Sequence, residues 1–82
     1  MVLVSVQNQS NFDLPTYATK DSSGADLKAA IDSPIILKPL ERRIILTGIK
    51  MALPEGYEAQ VRPRSGLAAK YGITVLNSPG TI

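Results

Sequence analysis

Apolar residues in this chain come in short runs, and a proline, a glycine or a polar cluster stops each one. Val2, Val4 and Val6 alternate with Leu3, Ser5 and Gln7 before the polar break at residues 8–10. Ala25, Leu27 and Ala29 share one face, with Asp26 and Lys28 on the other. Ile35-Ile36-Leu37 lies between Pro34 and Pro39. Residues 43–48, 49–53 and 57–62 follow, the last two alternating, with Pro54-Glu55-Gly56 as the turn between them. Residues 73–77 form a further run. Period-two alternation in β-branched stretches predicts strands. Short strands with a turn every several residues and almost no helix predict an all-β sandwich or barrel. The one helical expectation is Leu67-Ala68-Ala69-Lys70-Tyr71, N-capped by Ser65 and closed by Gly72.

The 82 residues allow one domain at most, spanning 1–82. A chain this short needs help to be stable. It has no cysteine and no histidine. Disulfides and thiolate metal sites are excluded, and so are the commonest metal ligand and the commonest general base. Partner subunits, or a larger fold, are the remaining aids. Nine basic and seven acidic residues give a net charge of +2, with one Phe and three Tyr and no basic stripe. That argues against a nucleic-acid surface. The apolar start from Met1 lacks a basic run and is too short for a signal peptide or a membrane span. The expectation is a cytoplasmic protein. Tyr57 and Tyr71 read as packing residues, and Arg42-Arg43 as a solvated edge.

Three segments carry chemistry. Arg64-Ser65-Gly66 sits where a strand gives way to the helical stretch. A guanidinium fork, a hydroxyl and a residue without a side chain are what a phosphate needs. A helix starting at Ser65 adds free backbone N–H groups. The plainer reading is a strand end, a cap and a turn. Asp26 is a lone carboxylate on a polar strand face, able to hold hydrated Mg²⁺ through water, or simply a solvated residue beside Lys28. Asn77-Ser78-Pro79-Gly80-Thr81-Ile82 has Pro and Gly at the centre of a type II turn. Its backbone groups and the Asn77 amide can read a base edge, or it is only a turn. A hairpin turn followed by Ile82 alone lacks its return strand, which leads to the expectation that the chain is cut short.

Together these segments closely resemble the dUTP diphosphatase (dUTPase) family. Ser23-Gly24-Ala25-Asp26-Leu27 resembles its first motif, Pro63-Arg64-Ser65-Gly66-Leu67-Ala68 its second, and Gly80-Thr81-Ile82 the start of its third. The resemblance covers essentially the whole chain, with the motifs in the family's order. It implies a distorted jelly-roll β-barrel that assembles as a homotrimer with active sites at subunit interfaces. It implies Mg²⁺-dependent hydrolysis of dUTP to dUMP and pyrophosphate. Arg64, Ser65 and Gly66 would hold the phosphates, and Asp26 would sit near the metal through water. Asn77, Gly80, Thr81 and Ile82 would recognise uracil and deoxyribose. The family's water-orienting aspartate follows Gly-Thr-Ile and so is expected beyond Ile82, as are its fourth and fifth motifs. No catalytic base is therefore assigned here, and the 82 residues alone are expected to be inactive or nearly so. The competing expectation is a non-catalytic β-module that binds nucleotides or trimerises. The related dCTP deaminases share the fold, but Ser65-Gly66 fits the diphosphatase pattern better.

Overall fold

The computed structural model describes residues 2–82; Met1, which precedes the expected first strand, lies outside them. The chain forms two compact units: one is Ser5–Ala52, and the other holds Leu53–Ile82 with the residues up to Val4. Short antiparallel strands, coil and a single short helix make up both, which is compatible with an all-β fold of the dUTPase type.

In the Ser5–Ala52 unit, β1 (Ser5–Asn8) pairs antiparallel with β2 (Ile49–Ala52), Ser5 opposite Ala52 and Asn8 opposite Ile49. The ladder runs one bond further, from the Gln9 amide to the Gly48 carbonyl at 2.7 Å. Here two backbones meet closely. Gly48 has φ +71, and a Cβ on it would stand 2.8 Å from the Ser10 nitrogen, so only glycine fits. Asn8 locks the corner: its Oδ1 accepts from the Ser10 amide (3.0 Å) and the Ser10 hydroxyl (2.6 Å), and its Nδ2 donates to the Phe12 carbonyl (2.7 Å).

In the other unit, β3 (Gln60–Val61) pairs antiparallel with β4 (Gly80–Thr81). Ala59 and Ile82 exchange backbone bonds of 2.9 and 3.3 Å at the end of this ladder. Between the strands lies α1 (Ser65–Tyr71). The Pro54 turn closes with a Tyr57 amide to Pro54 carbonyl bond of 3.2 Å, and Gly56 has the expected positive φ, 84°.

Several expected strands are not formed. Residues 25–29 contribute one bridge, Tyr17 opposite Ala25. Residues 35–37 and 73–77 are coil or turn, and 43–48 make one bond between the Ala30 amide and the Leu46 carbonyl (2.8 Å). Alternation tells which side chains share a face; a strand also needs a neighbour to accept its hydrogen bonds. The type II turn is also absent. Gly80 is not at positive φ because it is in the ladder opposite Val61, and the chain after Pro79 pairs with β3 instead of starting a hairpin. The Ser78–Pro79 peptide is cis.

No residue among those described is buried, polar or apolar. Ile36 (82 % exposed), Leu40 (105 %) and Ile44 (91 %) stand in water. Tyr57 and Tyr71, expected to pack, are exposed as well, because neither unit stacks a second layer over them. Each Leu or Ile left in water forgoes about 1.5–3 kcal/mol of burial. Among the described residues no helix is long and apolar enough to cross a membrane.

Candidate functional site

β3 delivers the chain to Arg62-Pro63-Arg64, where Pro63 ends ladder pairing and the backbone turns into α1. The helix starts one residue earlier than a Ser65 cap requires. Arg64 is the N-cap, with extended backbone (φ −84°, ψ 122°), and Ser65 is the first helical residue. The Arg64 carbonyl accepts the Ala68 amide at 3.0 Å, which fixes the first turn without any side-chain cap. Ser65 Oγ is thereby released from capping, and among the described residues it has no hydrogen-bond partner. The other end stops where expected. Gly72 takes the left-handed conformation (φ 68°), its amide donating to Ala68 and the Ile73 amide donating to Leu67.

An open cleft of about 370 Å³ lies along this helix, lined by Arg64, Ser65, Gly66, Leu67, Lys70 and Tyr71. The structure thus brings the three sequence candidates of this corner to one surface. Gly66 is one of the lining residues. A Cβ added there would meet nothing within 4 Å, and its φ is not positive, so neither packing nor backbone geometry demands glycine. What glycine leaves is space in the cleft. Lys70 and Tyr71 were not singled out in sequence as site residues. The signal was present: in a helix they stand four residues after Gly66 and Leu67, on the same two rows. The lining carries two cations and two hydroxyls but no carboxylate. That composition attracts an anion.

The remaining candidates lie elsewhere. Asn77 lies within a turn closed by the Ser78 amide and the Val75 carbonyl (3.1 Å), and its Nδ2 lies 3.5 Å from the position of a Cβ on Gly80. Gly80, Thr81 and Ile82 are tied to β3 and Ala59. Asp26 belongs to the Ser5–Ala52 unit. It stands just past the Tyr17–Ala25 bridge and not within a regular strand, half-buried, with its amide 3.4 Å from the Thr16 carbonyl.

The dUTPase family model matches residues 10–80. The deoxyuridine 5'-triphosphate nucleotidohydrolase of Wolbachia pipientis subsp. Culex pipiens (strain wPip) is 70% identical over 69 residues, covering 84% of this chain and 45% of the relative. The protein of the same name from Chlamydia felis (strain Fe/C-56) is 62% identical over 74 residues, covering 90% of this chain and 50% of the relative. That of Chlamydia caviae is 64% identical over 74 residues, with the same coverage. The chain spans about half the length of the curated relatives it matches. A match reaching across the Asp26 segment and the Arg64 cleft, at such identity, leaves one assignment: the chain belongs to the dUTPase family.

Proposed function

We propose that this chain is part of a dUTP diphosphatase, which hydrolyses dUTP to dUMP and pyrophosphate by water attack on the α-phosphorus. The observation that carries the reading is the cleft lined by Arg64, Ser65 and Gly66. The names of the relatives support the substrate. In this reading the Arg64 guanidinium pairs with phosphate oxygens through two parallel N–H bonds, which fixes orientation as well as charge. Ser65 Oγ donates a further bond, and the gap at Gly66 lets the phosphate chain lie against the backbone. Asn77 and the backbone of Gly80, Thr81 and Ile82 receive the base and sugar. Cytosine is rejected because its amino group would meet donors there.

Mg²⁺ keeps most of its water and takes one or two carboxylates along with substrate phosphates. Asp26 fits as a single anchor acting through water. No group of three or more His, Cys, Asp or Glu among the described residues could hold a metal by itself. Such an ion would neutralise charge on the separating phosphates. None of the cleft residues can take a proton from water near neutral pH, since the lining has neither a carboxylate nor an imidazole. The base therefore comes from outside this cleft, and the 82 residues alone bind substrate without turning it over. The same reading takes residues 1–82 as one incomplete β-domain of a jelly-roll barrel, homotrimeric when whole and cytoplasmic. The apolar side chains left in water support a missing cover.

The test is ³¹P NMR of the pure chain with dUTP and Mg²⁺, with dCTP as the control. Line broadening confined to dUTP, without dUMP, supports the reading. Selective formation of dUMP and pyrophosphate overturns the missing base. No response to dUTP overturns the phosphate site.

A further inference from the structure

The dUTPase reading uses Arg64, Ser65 and Gly66 and leaves Lys70 without a task. Lys70 lines the same cleft. Among the described residues Lys70 has no hydrogen-bond or ionic partner. Resting on the phosphate reading above, we propose that Lys70 is a second cationic ligand of the cleft, and that it sets the cleft's preference for a chain of linked phosphates over a single phosphate.

The argument is geometric. Arg64 precedes the first helical residue, and Lys70 lies in the last turn. A rise of about 1.5 Å per residue separates their backbones by about 9 Å along the axis. The two cations therefore enter the cleft from opposite ends of the helix. A single phosphate satisfies one of them; a polyphosphate reaches both. Gly66 lies one turn before Lys70 on the same row, so at that position no side chain occupies the cleft beside the lysine. Lysine acts here as a mobile point charge, suited to following a flexible phosphate chain, whereas Arg64 supplies the rigid fork. A last-turn lysine also complements the helix dipole. That role alone would not depend on which anion is offered, and this difference decides the test.

The experiment titrates the full 82-residue chain with inorganic tripolyphosphate and, separately, with orthophosphate, by calorimetry in low-salt, metal-free buffer, where exposed charges are least screened. Lys70→Ala is the central variant, because alanine is the best helix former and keeps α1 intact. Lys70→Arg tests rescue, Lys50→Ala on β2 controls for net charge, and Arg64→Met tests the cleft itself. The expected result is about tenfold weaker tripolyphosphate binding in Lys70→Ala, with orthophosphate changed less than about twofold. Lys70→Arg should stay near the parent, and so should Lys50→Ala. Equal losses for both anions would overturn the proposal, as would a loss matching that of Lys50→Ala, or one accompanied by loss of helical circular dichroism. If Arg64→Met weakens binding while Lys70→Ala does not, Lys70 is excluded and the phosphate reading stands. If the parent binds no tripolyphosphate, or Arg64→Met changes nothing, the phosphate reading fails and Lys70 fails with it.

Discussion

The corner at residues 62–72 and the limb at residues 34–47 look alike in sequence. Each has a proline, a short apolar run and arginines. In the structure they differ in where their hydrogen bonds go. The corner satisfies itself: Arg64 to Ala68, Gly72 to Ala68 and Ile73 to Leu67 are all local. The limb has a tight turn, Lys38 carbonyl to Glu41 amide at 2.9 Å, tied again by Glu41 Oε1 to the Lys38 amide. Beyond it the Ala30–Leu46 bond ties the limb to the chain before it, and Ile36, Leu37, Leu40, Ile44 and Leu46 face water. Local bonding yields a defined shape without a hydrophobic core; a limb that needs neighbours does not obtain one from its own sequence. In this chain the defined shape falls on the cleft at Arg64, Ser65 and Gly66.

Four substitutions test that contrast, each read by amide hydrogen exchange, which resolves local stability. The largest effect is expected at Gly48→Ala. Positive φ and a 2.8 Å approach to the Ser10 nitrogen combine, at about 3 kcal/mol, and the Gln9 amide should lose protection. An unchanged Gln9 amide would mean that the close approach is not what holds β1 on β2. Next comes Gly66→Ala, which separates folding from binding. With nothing within 4 Å and ordinary φ, it should strengthen α1 by about 0.5–1 kcal/mol while weakening tripolyphosphate binding about tenfold. Tighter binding would show that the empty space is not used. Gly72→Ala forces a side chain into φ 68° and should lower protection of the Ile73 amide by about 1 kcal/mol. The smallest effect is in the limb. Leu40 carries φ 64° without being glycine, so Leu40→Gly should stabilise the turn, seen at the Glu41 amide, by about 0.5 kcal/mol. Loss of protection there would show that the leucine side chain holds the turn.

Legibility in the sequence followed the same division. The helix and its Gly72 stop could be read because capping and left-handed glycine are local chemistry. The Gly56 turn and the alternation that became β2 could be read for the same reason. Residues 35–37, 43–48 and 73–77 have strand composition but form none here, since a ladder is a property of two segments. Gly80-Thr81 was misread in the opposite direction. Pro79-Gly80 has turn chemistry, yet pairing with Gln60 and Val61 decides its conformation. At the site, Arg64-Ser65-Gly66 was legible as a motif. Lys70 was hidden because a lysine in a last helical turn already has an ordinary explanation. The Ser65 cap was misplaced by one position, within the usual uncertainty of helix ends.

The pair of hydrogen bonds between Ala59 and Ile82 has a thermodynamic consequence. β4 is clamped to the strand that carries the chain into Arg64, so the two ends of the proposed nucleotide surface share one ladder. A ligand group that engages residues 80–82 only when they are paired also stiffens the approach to Arg64. An anion held at Arg64 must then favour the paired form of 80–82 by the same coupling free energy, because linkage between two binding events is reciprocal. The base end and the phosphate end of a nucleotide would accordingly bind this unit with positive cooperativity, each half weaker alone than its share of the whole.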